Sequence, residues 1–264
     1  MRDFSLKIYE SLLQTLLEKN YSFHTLQDFI KLLNSSTHQL FNFPLIILRH
    51  DVDSWPSNAL QMAYLENNLN VNSTYYFRMH SQSYNENIIK RISELGHEIG
   101  YHYEDLANVN GNFEKAFEEF KINLEKLRKL YPVKSISMHG RPLSKWDSRD
   151  LWKKYDYKKL GVTCEPYLDI DYDKVLYLTD TGGCWDGEKY NLRDNVKSKF
   201  GFDIHSTFDL IDHIEHDKLP NQIILNIHPA RWNNNLFKWL IRQFILTYPK
   251  RGVKSILKKM RNKK

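Results

Sequence analysis

The sequence predicts an α/β protein built on a parallel sheet, and three observations predict it. Short apolar, β-branched and aromatic runs alternate with segments of helical period, the order expected of βα units. The candidate strands end in His, Asp and Arg, where barrels and doubly wound sheets gather their chemistry. The chain has 264 residues, 41% of them hydrophobic and 14% aromatic, enough to bury a sizeable core.

The elements follow in order. Phe4, Ile8, Leu12, Leu13, Leu16 and Leu17 fall at helical spacing and predict an amphipathic helix over 4–18. A short helix is expected over 25–33, with Thr25 as N-cap and Asp28 three residues on. Pro44-Leu45-Ile46-Ile47-Leu48 begins a buried strand over 44–50 that runs into His50-Asp51-Val52-Asp53. A helix over 57–69 leads to a strand over 71–78, and a helix over 84–95 stops at Gly96, a natural residue just past a helix end. A strand is expected over 96–101, a helix over 112–130 and a strand over 133–138. Further strands are expected over 161–164, 175–179, 201–205 and 222–227, with a helix over 208–216 and a last helix from about 235. No repeat or linker divides the chain. It reads as one domain over 1–264: a helical extension over 1–43, a barrel over 44–232, and a C-terminal helix with a basic tail over 233–264.

The net charge of +6 is uneven. Eight of the 38 Lys and Arg lie in the last 15 residues, which hold no acid, leaving 30 basic against 32 acidic residues elsewhere. Basicity belongs to the tail, so a nucleic-acid groove across the domain is not expected. Two cysteines make no disulfide framework, and no apolar run reaches the roughly 18–20 residues of a membrane span. No long apolar stretch follows Met1, so the expectation is a cytoplasmic protein.

Asp51 and Asp53 alternate with Val52, so in extended geometry both point to one side. Two like charges there need a metal, a proton or a cation between them. The other strand ends supply Arg78-Met79-His80, His102 with Glu104 and Asp105, His139-Gly140-Arg141, Asp180, His205 and His228-Pro229. Aspartate with histidine suits a divalent metal of the Zn, Fe or Co type with positions open for water and substrate. A carboxylate to take a proton, a histidine to give one and an arginine to brace the base complete a metal-assisted hydrolase of amides or esters. Asp51, Asp53, His102, Arg141 and His228 supply one of each. His80, His139 and His205 read as polar groups satisfied at strand ends. No base is tied to Cys184, so it is not expected to be a nucleophile.

The order of these motifs resembles that of the polysaccharide deacetylases with NodB homology, carbohydrate esterase family 4, across roughly residues 44–232. The resemblance implies a distorted (β/α) barrel carrying an N-terminal helical extension. His50-Asp51-Val52-Asp53 is similar to the first motif, which makes Asp51 the base and Asp53 a metal ligand. Gly96-His97-Glu98-Ile99-Gly100-Tyr101-His102 resembles the segment leading into the second, which makes His102 a ligand and His97 a structural group. The family's second metal histidine falls at Leu106, which leaves the site one ligand short or moves the ligand to Glu104 or Asp105, with Glu104 preferred. Gly140-Arg141-Pro142-Leu143-Ser144 resembles the third motif, whose Arg braces the base; the aromatic expected at Ser144 is absent, and Trp146 lies close by. The segment 179–186 matches the fourth loosely, with Asp180 tuning the catalytic histidine and Trp185 flooring the sugar pocket. Leu225-Asn226-Ile227-His228-Pro229 matches the fifth, with His228 as general acid.

The resemblance therefore implies a metal-dependent deacetylase that removes an N-acetyl or other acyl group from a sugar. The metal is expected to be Zn, with Co, Fe, Ni or Mn as alternatives. The substrate is expected to be a glycan or lipid-linked sugar precursor. Two rivals stand beside it: a carbohydrate-binding pseudoenzyme that lost its metal, and a metal hydrolase of another non-peptide C–N bond. In the tail Val253, Ile256, Leu257 and Met260 fall at helical spacing among cations. That pattern suits a packed terminal helix, or contact with an anionic membrane at the inner face.

Overall fold

The computed structural model describes residues 1–35, 43–141, 143–186, 193, 196–247 and 252. Seven parallel strands form one curled sheet, β1 (Ser22–His24), β2 (Leu45–Val52), β3 (Thr74–Phe77), β4 (Glu98–Tyr103), β5 (Ile136–Met138), β6 (Leu176–Thr179) and β7 (Gln222–Ile227). The main path runs β5-β4-β3-β2-β7-β6. It is a half-barrel wrapped by helices, in keeping with the distorted (β/α) barrel expected. β1 and β3 share one edge of β2: Ser22 pairs with Leu45 at its start and Arg49 with Thr74 at its end. An isolated parallel bridge from Ser135 to Cys164 carries the sheet one step past β5.

β2 is central because it is buried along its whole length, charged residues included. A strand flanked on both sides by parallel neighbours has no wet face, so it reads as a continuous apolar run until its functional end. The N-terminal helices α1 (Leu6–Glu18) and α2 (Leu26–Asn34) close opposite sides of the sheet. Ser5 and Thr25 cap them, each accepting a backbone N–H three residues on. Leu12, Leu13 and Leu16 of α1 bury against Ile223 and Leu225 of β7. Full burial of such side chains stabilises the fold by roughly 1.5–3 kcal/mol each.

Between the strands lie α3 (Pro56–Asn68), α4 (Glu86–Glu94), α5 (Asp105–Asn108), α6 (Phe113–Arg128), α7 (Pro166–Asp169) and α8 (Thr207–Glu215). A short α9 (Leu236–Leu240) continues as the wider-wound segment Ile241–Thr247. One glycine is dictated by packing: a Cβ on Gly100 of β4 would stand 2.3 Å from the Tyr76 ring on β3. That clearance lets Tyr76 lie across β4 and wall the site described below.

Most elements lie where periodicity places them, and β7 matches its expected span. Three differ. β1 is absent from the expectation, since three residues carry no usable period. The strands expected over 161–164 and 201–205 do not form: the first contributes only the Cys164 bridge, the second is irregular backbone. The helix expected for the tail beyond residue 252 lies outside the described residues. Among the described residues no helix is long and apolar enough to cross a membrane.

Candidate metal centre

The C-terminal ends of β2, β4, β5 and β7 bring five of the singled-out side chains to one place. Asp51 stands near the end of β2 with Asp53 just past it, His102 lies on β4, His139 follows β5 and His228 follows β7. Asp53, His102 and His139 present ligand atoms within 4.8 Å of one another. Asp53 Oδ1 lies 3.5 Å from His102 Nε2 and 3.4 Å from His139 Nε2. It is buried and no hydrogen bond satisfies it. A buried carboxylate oxygen in that state calls for a cation or a proton.

Both imidazoles are held so that Nε2 faces this oxygen. His102 Nδ1 donates to the Ser137 carbonyl at 2.9 Å, and His139 Nδ1 donates to Glu104 Oε2 at 2.9 Å. A ring whose Nδ1 carries the proton keeps the Nε2 lone pair for a metal, and the outer acceptor fixes its orientation. Burial pushes the His139 pKa down, which keeps that ring neutral near pH 7. The donor set fits a metal of the zinc type: two imidazoles and a carboxylate, with room for water or substrate.

The third place thus differs from the expectation. Glu104 is not in the cluster. Its Oε1 accepts both Arg78 Nη2 at 2.6 Å and Arg78 Nε at 2.9 Å, and its Oε2 accepts His139. Burial would raise its pKa, but His139 and Arg78 outweigh that and bring it to about 2. Glu104 is an ionised carboxylate that aims His139. Asp105, the other carboxylate alternative, points the opposite way, onto the Tyr101 hydroxyl and Asn123. Leu106 is buried in the hydrophobic core, where the α5 turn directs it.

Asp51 lies beside the cluster, its Oδ2 3.7 Å from His102 Nε2. Its brace is Arg49, not Arg141. Arg49 Nε donates to Oδ1 at 2.9 Å and Nη2 to Oδ2 at 2.7 Å, a bidentate fork. Arg49 is itself buried between the Tyr76 and Tyr167 rings, at 5.3 and 5.0 Å from their centroids. Asn226 on β7 adds a third donor to Asp51 Oδ2 at 3.1 Å. Burial pushes the Asp51 carboxyl up, but Arg49, His102 and His228 hold it at about 2. Asp53 is likewise driven up by burial and held well below the usual range by His139, His102 and His228. Arg141 instead donates to Asn108 Oδ1 at 2.7 Å and stands 3.7 Å from Glu104, on the outer side of His139.

His228 and Asp180 are brought together. His228 Nδ1 donates to Asp180 Oδ1 at 2.6 Å, and the Trp232 indole donates to Oδ2 at 2.8 Å. Burial would lower the His228 pKa, but the Asp180 charge outweighs it and the net shift is upward. His50 of β2 pairs in register with Ile227 of β7, which sets Asp51 and His228 at the same end of neighbouring strands.

The two tryptophans stand elsewhere. Trp185 is buried in the core against Trp232, its indole donating to Thr207. It cannot floor an open pocket. Trp146 lays its ring over Gly111, where a Cβ would stand 2.3 Å away. His80 is exposed and its Nδ1 accepts Gln82 N. His205 pairs with Asp186 at 2.9 Å, and with Cys184 these form a second group within ligand distance. Its carboxylate is already engaged by that imidazole, unlike Asp53.

Arg49, Asn226 and the role of His139 are what the sequence reading missed. A signal existed for two of them. Arg49 and Asp51 alternate on one strand and therefore share a face. A charged residue inside an apolar run needs a partner there. Asn226 follows the apolar run Ile223-Ile224-Leu225 of β7 and pairs in register with Arg49.

No protein-family model matches the chain, and no curated protein is similar to it. Solved structures resemble its chain course. A family 4 carbohydrate esterase from Bacillus anthracis is 16% identical with a TM-score of 0.43, over 84% of this chain and 78% of that one. A carbohydrate esterase family 4 enzyme of Streptococcus mutans is 12% identical with a TM-score of 0.46, over 92% and 90%. A family 4 pseudoenzyme, also from Bacillus anthracis, is 11% identical with a TM-score of 0.46, over 83% of this chain and 62% of that longer one.

Proposed function

We propose that the chain is a metal-dependent hydrolase that removes an N-acetyl, or another acyl, group from a sugar. The observation that carries the reading is the orphaned Asp53 Oδ1, set between two imidazole nitrogens, with Asp51 and His228 at the same strand ends. Asp53, His102 and His139 would hold a divalent cation, zinc by its preference for this donor set. When bound, such an ion polarises the acyl carbonyl and acidifies a water.

The chain's own residues supply the proton transfers. Asp51, ionised down to a pKa of about 2 and clamped by Arg49 and Asn226, accepts a proton from the attacking water. The water oxygen adds to the acyl carbon, and the C–N bond then breaks. His228, protonated by its partnership with Asp180, gives its proton to the departing amine. The balance is one water in, one carboxylic acid and one amine out. Arg49 orients the base without touching substrate.

The test is acetate release from N-acetylated amino-sugars and their oligomers after metal is stripped and restored. Acetate is expected only with metal, and Asp51→Asn lowers kcat by about 10²–10⁴-fold, the range for a general base. Neither bound metal nor acetate from any amino-sugar would instead support the carbohydrate-binding pseudoenzyme that lost its metal.

A further inference from the structure

The C-terminal helical segment bears an apolar surface that the site does not use. Leu236, Phe237, Leu240 and Phe244 are exposed, Phe237 by 71% and Phe244 by 56%. Leu236, Leu240 and Phe244 recur at intervals of four and line one side, with Phe237 beside them. No residue of α9 is buried. Four large exposed apolar side chains within nine positions make a contiguous patch, unlike single apolar residues scattered over a surface.

Cations accompany this patch along the sequence. Lys238 lies on the same helix, and the sequence just beyond holds eight Lys and Arg with no acid over residues 250–264. Apolar side chains among cations are what an anionic lipid surface takes up: the rings enter the acyl boundary and the cations meet the headgroups. No described helix can span a bilayer, so the contact is peripheral. The same segment reaches the catalytic rim. Arg242 stands 5.7 Å over the Trp55 ring, and Trp55 follows Asp53 by two residues in a left-handed backbone conformation at φ 54°.

We infer that the chain docks on anionic phospholipid membranes through Leu236, Phe237, Leu240 and Phe244, which holds the mouth of the metal centre against the bilayer. The corollary that its sugar substrate is carried on a lipid rests on the function proposed above; the docking does not.

The experiment is sedimentation of the full chain with vesicles of phosphatidylcholine alone and of phosphatidylcholine with one-third phosphatidylglycerol. Binding is expected to the anionic vesicles at low salt, at least tenfold above the zwitterionic ones, and to fall as salt rises. Phe237→Ser with Phe244→Ser is expected to weaken it tenfold or more. Both side chains are exposed, so circular dichroism should stay unchanged. Deleting residues 250–264 tests the charge separately and should remove the salt dependence. Binding that ignores the double substitution, equal binding to both vesicles, or no binding overturns the proposal. So does a dimer in solution that the double substitution abolishes, since a second copy would then be the occupant. Vesicle binding needs no turnover, so failure of the acetate assay leaves it intact and failure of docking leaves the metal centre intact.

Discussion

Among the described residues, two clusters each join one carboxylate to two histidines, the first fully buried and the second half-buried, and they are built to opposite ends. In the first, Glu66 accepts Tyr9 OH at 2.5 Å, Ser73 OH at 2.6 Å, His50 Nε2 at 2.8 Å and Tyr75 OH at 2.9 Å. His97 Nε2 donates to the Ala63 carbonyl, and its other nitrogen lies on Ser73. In the second, Asp53 Oδ1 receives no hydrogen bond, and both imidazoles turn their protons outward to Ser137 and Glu104. The residue types are nearly the same. What differs is where the protons go: three hydroxyls close the first cluster, while two outer acceptors leave the second with bare lone pairs. Donors directed away from its centre thus leave the second cluster, and not the first, able to accept a cation.

His139→Ala should break the open cluster outright. With two ligands left, the metal content of dialysed protein is expected to fall from one per chain to near zero, and acetate release with it. Elemental analysis and the activity assay check both. Glu66→Gln should break the closed cluster instead. Replacing the buried carboxylate strands a histidine and hydroxyls, which costs about 3–5 kcal/mol of stability. Urea unfolding measures it, and folded protein should keep its metal. If the two substitutions swapped these effects, the contrast between the clusters would fail.

A milder change sharpens the contrast. Glu104→Gln leaves all three ligands but loosens the acceptor that orients His139. Metal affinity should weaken about 10–100-fold, the usual cost of losing an outer-shell partner. Competition with a chromogenic chelator reads this.

The smallest effect is a shift rather than a loss. The His228 pKa lies above 6.5, so its protonated form is present below that pKa and is lost as pH rises through it. The kcat/KM profile should therefore fall on its alkaline side. Asp180→Asn removes the charge that raises the pKa and should move that limb to lower pH. A limb that stays in place would assign it to another group. Asp51, with a pKa of about 2, cannot set any limb near neutrality.

Much of this was legible in the sequence, for a physical reason. Asp51 and Asp53 announce themselves because carboxylates ending an apolar strand have no packing role, and His102, Asp180 and His228 follow from the same strand-end rule. The helices were readable from their apolar spacing and caps. The third member of the cluster was not readable. His139 follows a strand of three residues, too short to show a period, and its partners come from β2 and β4. Only the parallel register from β4 to β5, which pairs His102 with Ser137, brings it alongside. Local spacing instead directed attention to Glu104, two residues after His102, whose outward turn toward Arg78 depends on β3. Arg141 illustrates the same limit. Its motif suggested the brace for Asp51, but Arg49, two residues away on the same strand, needs no long-range closure to reach it. Trp185 looked like a pocket floor beside a Gly-rich turn, yet α8 supplies the hydroxyl its indole requires, and it packs inward.

In the proposed function, His139 completes the metal centre left short at Leu106. The most direct measurement is an anomalous difference map, at the zinc edge, from crystals of the zinc-loaded protein. One peak is expected roughly 2.0–2.2 Å from Asp53 Oδ1, His102 Nε2 and His139 Nε2, with Glu104 outside the coordination sphere. A peak that binds Glu104 in place of His139, or none at Asp53, would contradict it.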